Sequence, residues 1–522
     1  MLPEAPRERI EEGIHAGIER LTEHLGGVAR RRVVVILACV LALDTADKGA
    51  IGALAAQLEP ALHIGNTQVG LLVAVSTLIG AVMTLPIGVL TDRSKRTRLL
   101  WISIIAWGIA QAASGLAVSF GMLLLTRVAV GAVTATAGPV VASLTGDLFP
   151  AGERGRLYGF ILTGELIGAG AGILVAGEVT ALLSWRAAFF ALAVPSLVLS
   201  WAVHHLLPEP ARGGQSRLEP GAEVIPSEEE VAAHPEDYEP EACEESGGDA
   251  LVLREVEAAG IEADEEVVLH EDPDRLNLWR AVLYVLRVRT NLALIISSSL
   301  GYFFFAGVQT FALIFLRGRY GLSQSTGTLL LLLMGVGAVA GVLVGGRTAD
   351  RLLRRGRIDA RLVVGAVGYM VASLVFLPAL WSGVVALSLP LFMLAAAALA
   401  APNPPLNAAR LDVIPSRMWG RAEAVRTVVQ TLLQASAPLL FGVASVALGG
   451  GQSGLGAGIN SAHARVSRAT GLGLQHTFLL MLVPLAASGV ILLFARRRYA
   501  TDVAAAGESD RRTVEEPEVA HR

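Results

Sequence analysis

Gly88-Val-Leu-Thr-Asp92-Arg93-Ser-Lys-Arg96 closes one apolar run of the chain, and Gly346-Arg-Thr-Ala-Asp350-Arg351-Leu-Leu-Arg354 closes another. Each reads Gly, three residues, Asp-Arg, then further basic residues. The apolar segments around them fall at about 33–56, 68–90, 99–118, 121–146, 157–177 and 187–207, then at about 292–316, 324–346, 361–380, 384–408, 424–448 and 474–495. The repeated stretch ends the second segment of each six. A helical bilayer crossing takes roughly 20 apolar residues, so the pattern predicts an all-α membrane protein: twelve transmembrane helices in two pseudo-symmetric six-helix bundles. Duplicated halves with a site between them near the midplane are one way to build a transporter. Glycine lets helix ends approach closely, the aspartate caps or pairs with a neighbouring helix end, and the arginines anchor to headgroups. Gly88, Asp92, Arg93, Arg96, Gly346, Asp350 and Arg351 are therefore expected to form a conformational latch.

Composition agrees. Of 522 residues 53% are hydrophobic and 17% charged, against about 25% charged in a soluble domain. That deficit argues against a soluble enzyme or a nucleic-acid binder. Two cysteines, Cys39 in an apolar run and Cys243 in an acidic one, make no disulfide framework. No Walker sequence, nucleophile elbow or metal-ligand cluster stands in the chain, so no catalytic residue, cofactor or metal is expected.

The net charge of −4 conceals an asymmetry: from Glu209 to Asp274, 22 acidic residues face three arginines. Such a stretch buries too little apolar surface to offset chain entropy. Residues 208–290 are expected to be an acidic, largely disordered linker, with small local elements at Leu251–Leu253 and Val267–Leu269. A solvated spacer and a partner-recruiting segment both fit. Arg30 to Arg32, Arg93 to Arg98, Arg154 and Arg156, Arg351 to Arg357, Arg417 and Arg421, and Arg496 to Arg498 all fall on one side of a twelve-crossing chain, while Gln57 to Gln68 has no Lys or Arg. The positive-inside rule makes the Arg-rich side cytoplasmic; Arg317 and Arg319 are the main exceptions. The expected layout is a cytoplasmic N-terminal amphipathic helix over 1–32 (Ile10, Ile14, Ile18, Leu21 and Leu25 at helical spacing), bundles over 33–207 and 291–498, the linker between them, and a cytoplasmic tail over 499–522. No secretory signal is expected before the first segment. Leu278, Val282, Val285 and Leu286 mark a second amphipathic helix, lying on the membrane surface or packed on the protein. Gly449 to Gly473 reads as a Gly/Ser-rich external loop.

Ionisable residues at the bilayer centre cost about 2.5–3.5 kcal/mol each on insertion scales, so they face a cavity and keep a partner. The candidates are Asp44, Asp47 and Lys48 on the first helix, Arg127 on the fourth and Glu165 on the fifth. At 1.5 Å per residue, Asp47 lies roughly 13 Å from the outer end of its helix and Arg127 roughly 10 Å from the outer start of its own, so the two depths allow a pair. Asp47 is the expected proton-accepting carboxylate held near Arg127, with Glu165 as a second proton site and Asp44–Lys48 as a helix-one charge cluster. A permanent ion pair that only fixes helix packing is the structural alternative. The second half carries almost no membrane carboxylate. Thr134, Gln309, Asn403, Asn407, Gln430 and Gln434 are the substrate-cavity candidates, although interhelical hydrogen bonds explain the amides equally. Pro402, Pro404 and Pro405 break the tenth helix, a candidate gate.

Gly88 to Arg98 resembles the loop signature of the major facilitator superfamily. Arg127 with Gly131 resembles its fourth-helix motif, and the glycines at 164, 168, 170 and 172 its antiporter motif, with Ala169 in place of the usual proline. Trp185-Arg186-Ala-Ala-Phe189 also fits. A narrower resemblance is to the spinster-like transporters: Asp47-Lys48, Leu125-Thr126-Arg127 with Gly131, Asp147-Leu148-Phe149 with Arg154, and, more loosely, Val413-Ile414-Pro415, Ala422-Glu423-Ala424, Ala437-Pro438 and Gly442. Thr134 stands where that subfamily usually has a glutamate. The resemblance implies lipid-like cargo and, in some members, proton coupling. The resulting expectation is a monomeric secondary transporter of an amphipathic organic solute, lipid-like or drug-like, proton-coupled and working by alternating access in the inner membrane of a bacterium. Its partners are membrane lipid, the substrate and protons. A proton symporter for a small polar metabolite such as a sugar or organic acid, or a scaffold whose acidic linker recruits a partner, is the alternative.

Overall fold

The computed structural model describes residues 19–20, 22–23, 25–149, 151–211, 218, 221–225, 250–270, 278–415, 418–449 and 468–519. Regular structure among them is helical. The first half holds α1 (Val28–Leu62), α2 (Asn66–Arg93), α3 (Arg96–Gly115), α4 (Phe120–Thr134), α5 (Ala137–Leu148), α6 (Ala151–Leu182) and α7 (Trp185–Leu206). Two short helices follow, α8 (Ala250–Ala258) and α9 (Leu278–Arg287). The second half holds α10 (Arg289–Tyr320), α11 (Gln324–Leu353), α12 (Ala360–Trp381), α13 (Val385–Ala400), α14 (Asn403–Asp412), α15 (Trp419–Leu448) and α16 (Arg468–Val519). Among the described residues, ten helical stretches are long and apolar enough to cross a membrane. The two remaining long helices, α1 and α3, are diluted by polar residues: Asp44, Asp47 and Lys48 in one, Arg96, Arg98 and Gln111 in the other. Counted with these two, the described helices are consistent with the expected twelve.

The fourth span of each half is two helices in series. α4 gives way to α5 at Ala135–Thr136, and α13 to α14 at Ala401–Pro402. Proline at the first turn of α14 lacks an N–H that would have no partner there anyway, so it starts a helix as readily as it ends one. Serine side chains cap three starts: Ser119 accepts from Met122 N–H, Ser184 from Ala187 N–H and Ser323 from Thr326 N–H. Leu125, Ile167, Leu374 and Phe494 are each about two-thirds exposed. In water such an apolar belt is an aggregation surface, whereas hydrocarbon leaves it at no cost.

By contact the chain divides into two units, Met1–Ala50 with Ile79–Ser246, and Ile51–Leu78 with Gly247–Arg522. In unit one α3 packs on α7 and α4, and α6 on α7. The glycine spacing on α6 has a direct cause. A Cβ at Gly164, Gly168 or Gly172 would run into the backbone of Ala38, Ala42 or Ala46, so small residues four apart on both helices let α1 and α6 touch backbone to backbone. Unit two has a matching seam, with Gly337, Gly341 and Gly345 of α11 lying on the backbone of Met393, Ala397 and Ala401. α10 packs on α16 and α15, and α12 on α16 and α13. Their shared core is aromatic: Phe304 sits edge-on to Phe376, Phe441 and Phe478 at centroid distances of 5.2, 6.3 and 6.4 Å. The far end of α1 and the start of α2 join this unit through Gly52 against the Gln309 and Thr310 carbonyls and Gly70 against Pro438.

Within 208–290, expected to be largely disordered, residues 250–270 and 278–287 are folded. Val252 and Val256 of α8 are buried, Leu253 packs on Gly507 of α16, and Leu269 N–H donates to Ser509 Oγ at 2.9 Å. The apolar triplets at Leu251–Leu253 and Val267–Leu269 locate these contacts, and a composition averaged over the whole linker hides them. The expected separate tail over 499–522 is, as far as residue 519, a continuation of α16. In unit one, the Arg30 guanidinium donates to Leu218 O and Ala29 N–H to Ala222 O, so the start of the linker lies over the start of α1. Ile10, Ile14, Ile18 and Leu21 of the expected N-terminal helix, and most of the 449–473 loop, lie outside the described residues. α9 buries Ala281 and Val285 and exposes Trp279 and Leu283, so one face packs on protein and the other is free.

Candidate functional site

α1, α3 and α4 bring four polar side chains together inside unit one. Arg127 Nη1 donates to Asp47 Oδ1 at 2.7 Å. Gln111 Nε2 donates to the same oxygen at 2.5 Å, and Arg127 Nη2 donates to Gln111 Oε1 at 2.6 Å and to Ser114 Oγ. The guanidinium also lies 5.3 Å from the Phe189 ring centroid, within cation–π range. Arg127 and Gln111 are fully buried and Asp47 is 3% exposed. A buried charge is tolerated only when paired and hydrogen-bonded; here one carboxylate oxygen accepts two charge-assisted or neutral donors while the arginine fork is spread over three acceptors. Gln111 and Ser114 are the site members that sequence reasoning missed. They are polar residues three apart on one face of the third segment, but nothing in the sequence says which neighbour they face.

Lys48 Nζ pairs with Asp44 Oδ2 at 2.7 Å, with both side chains partly exposed. Asp44 and Thr134 border a small pocket of about 20 Å³ together with Val40, Leu43, Trp107 and Val133. Trp107 Nε1 is buried there without a hydrogen-bond partner, and Thr134 Oγ1 donates to Gly131 O at 3.2 Å. Glu165 is exposed, and its backbone carbonyl accepts from Thr45 Oγ1.

The cavity candidates of the second half separate into different environments. Gln309 and Gln434 are half-buried, as is Asn403 at the start of α14. Asn407 accepts from Arg410 Nη2 at 2.7 Å, and Gln430 accepts from Arg426 Nη1. Both arginines hold Glu423. Against the expectation of almost no membrane carboxylate in the second half, Glu423 thus stands between two arginines near helix ends.

The repeated stretch yields a correction of register. Arg96 is fully buried; it pairs with Asp147 and with Glu209 at 2.9 Å, and donates to Pro210 O at 2.7 Å. Sequence alignment sets Arg354 opposite it, but Arg354 is the exposed C-cap of α11. The residue doing the same work in unit two is Arg361, which is 2% exposed and pairs with Asp412, which also accepts from Tyr499 Oη. Arg361 follows Arg96, and Asp412 follows Asp147, by the same 265 positions. Each arginine thus ties together the third, fourth and last spans of its own half. The longer turn after α11 displaces Arg361 from the motif. Of the other expected latch members, Asp350 and Arg351 are exposed and Gly346 has only ordinary contacts; the side chains at 88, 92 and 93 lie outside the described ones.

Burial works to raise the Glu209 carboxyl, but hydrogen bonds from Thr97 and Arg96 outweigh it and hold the group below the ordinary carboxylate range. A carboxyl lowered in the folded state gives stability that is present above its unfolded value and lost as pH falls through the folded one. Glu209→Gln is expected to cost about 1.5–3 kcal/mol at neutral pH, the usual worth of hydrogen bonds to a charged group. Melting curves of both proteins should converge as the buffer is taken below the carboxylate range; a gap that stays constant would detach the effect from ionisation.

A chain whose described residues hold ten candidate membrane spans, with the same arginine-centred corner in each half, has the architecture of a duplicated-bundle membrane transporter. It belongs to the Major Facilitator Superfamily, whose profile matches residues 36–438. Its fold is similar to that of a bacterial homologue of the human lysosomal transporter Spinster, crystallised inward-facing and unoccupied (TM-score 0.66, 19% identity, covering 91% of this chain and 98% of that one). The inward-facing, occupied form of that homologue gives a TM-score of 0.64 at 19% identity and the same coverage. The nucleoside transporter NupG gives 0.55 at 12% identity, covering 90% of this chain and 99% of that one.

Proposed function

We propose that this superfamily transporter is a proton-coupled carrier of an amphipathic organic solute, with Asp47 as the proton-accepting carboxylate and Arg127 as its partner. The observation that carries the reading is the shared Asp47 Oδ1, which is buried and accepts from both Arg127 and Gln111. Ionised, Asp47 balances the guanidinium. Protonated, it no longer does, and Arg127 then depends on Gln111, Ser114 and the Phe189 ring alone. Any movement that changes their spacing therefore takes up or releases a proton. Glu165 is the second proton-site candidate, on α6 where its backbone carbonyl meets α1 through Thr45. The small pocket beside this network has both polar and apolar borders, Asp44 and Thr134 on one hand and Val40, Leu43 and Val133 on the other, and it must widen before it admits an organic solute. The spinster-like motifs around Asp47, Arg127 and Asp147 are what favour lipid-like cargo, and the nucleoside carried by the similarly folded NupG keeps a small polar metabolite as the second reading. We place the Arg-rich helix ends and both termini in the cytoplasm on the positive-inside rule, in a bacterial inner membrane.

Reconstituted vesicles loaded with a pH-sensitive dye test the reading, challenged in turn with lysolipids, drug-like cations and sugars. The wild type should acidify or alkalinise the lumen only with its substrate, and Asp47→Asn should move substrate, if at all, without that pH signal. Substrate-driven proton movement at the wild-type level in Asp47→Asn would remove Asp47 from the role and leave a structural ion pair.

A further inference from the structure

Where α14 and α15 meet in unit two, three charges share one point. Arg410 Nη1 donates to Glu423 Oε2 at 3.1 Å, Arg426 Nε donates to the same oxygen at 2.9 Å, and Arg426 Nη2 pairs with Oε1. The arginine side chains are 12% and 16% exposed, whereas that of Glu423 is 53% exposed. Arg410 Nε is buried without a hydrogen-bond partner. Asn407 and Gln430 each fill one further N–H position. Both amides are neutral, so two cations share a single anion, and no other ion pair to either arginine exists among the described residues.

An uncompensated, largely buried cation is costly. Guanidinium forks meet carboxylates and phosphates in two-point geometry, and here the two forks converge on a carboxylate whose own side chain is the accessible member of the cluster. We propose that Arg410 and Arg426 form a binding site for an oxyanion, carboxylate or phosphate, and that Glu423 fills it as a built-in competitor while no ligand is bound. A ligand anion displaces the Glu423 carboxylate into solvent and takes its hydrogen bonds, and the otherwise unused Arg410 Nε gains an acceptor.

The proposal predicts opposite signs for the two kinds of variant, while a purely structural cluster predicts one sign for both. The test is calorimetric titration of the full-length protein, purified in a neutral maltoside detergent, with dodecyl phosphate. Glu423→Gln should bind about tenfold more tightly than wild type, a change of about 1.4 kcal/mol, and Arg426→Gln should show no saturable binding. Displacement of the probe by inorganic phosphate marks a free anion as the source. Displacement only when the protein sits in nanodiscs containing phosphatidylglycerol marks a lipid headgroup. Equal or weaker binding by Glu423→Gln, or wild-type binding by Arg426→Gln, overturns the site. Should Glu423→Gln fail to purify monodisperse, the wild type and Arg410→Lys decide: the wild type must prefer dodecyl phosphate to dodecyltrimethylammonium, and Arg410→Lys must weaken that binding severalfold; absence of either result overturns it too. Because the readout is binding, its failure leaves the Asp47 coupling reading untouched.

Discussion

Arg127→Met should lower the stability of the folded protein by about 3–5 kcal/mol, the range for removing one partner of a buried ion pair. The loss is larger than the ion pair alone would give, because one side chain serves three acceptors. Without it Asp47 keeps a negative charge at 3% exposure, and Gln111 Oε1 and Ser114 Oγ lose their donor. Asp47→Asn produces the mirror-image defect, a buried guanidinium without a counter-charge. The double variant removes both charges at once and should cost less than the sum of the two singles, with a coupling energy of about 0.5–3 kcal/mol. Denaturation of the four proteins in one detergent closes the cycle. Additive losses would mean that Asp47 and Arg127 act independently, contrary to the geometry.

The second large effect is expected at Gly168. A side chain there would meet Ala42 O and Cα, and then Thr45 Oγ1. Backbone atoms cannot step aside as the end of a flexible side chain can. Overpacking commonly costs 1–3 kcal/mol, and Gly168→Val, which forces two helix backbones apart, should cost about 3 kcal/mol or more and reduce monodisperse yield. The damage reaches further than the seam: α1 carries Asp47 immediately after Ala46, the contact of Gly172, so the same seam sets the depth at which Asp47 meets Arg127. Gly335→Ala is the control. Nothing lies within 4 Å of the position where its Cβ would stand, and alanine in a helix is favoured over glycine by about 1 kcal/mol. Fluorescence size-exclusion profiles and melting temperatures should order the variants Gly335→Ala at or above wild type and Gly168→Val far below. Equal behaviour would mean the seam is not what holds α1.

The residues differ in how plainly the sequence announced them. Segment length and arginine placement announce the twelve spans, because the bilayer fixes the first and the membrane electrostatics the second. Asp47 and Arg127 were legible as a pair from depth alone. Gln111 was not, since an isolated amide in an apolar helix gives no hint of which neighbour it faces. Arg361 was obscured by the longer turn after α11, which breaks the repeat at the point where its role resumes. The glycines of α6 were visible as spacing, but their cause lay in a second list, Ala38, Ala42 and Ala46, whose matching interval has meaning only once the two helices are known to touch. Arg410, Glu423 and Arg426 fell near segment ends, where hydropathy cannot separate a loop charge from a wall charge.

In unit two the far end of α1 rests on carbonyl oxygens through Gly52, α2 rests on α15 through Gly70, and Gly442 rests on the backbone of Asn66. At those three points backbone meets backbone, so parting them asks no side chain there to change rotamer. Polar clasps fasten this joint: Gln324 Nε2 to Ala53 O at 2.7 Å, Asn66 Nδ2 to Ser445 Oγ at 3.0 Å and Gln57 Nε2 to Gln324 Oε1 at 3.5 Å. Water replaces such clasps at small net cost, so these contacts can open and close again with little loss of hydrogen-bond energy.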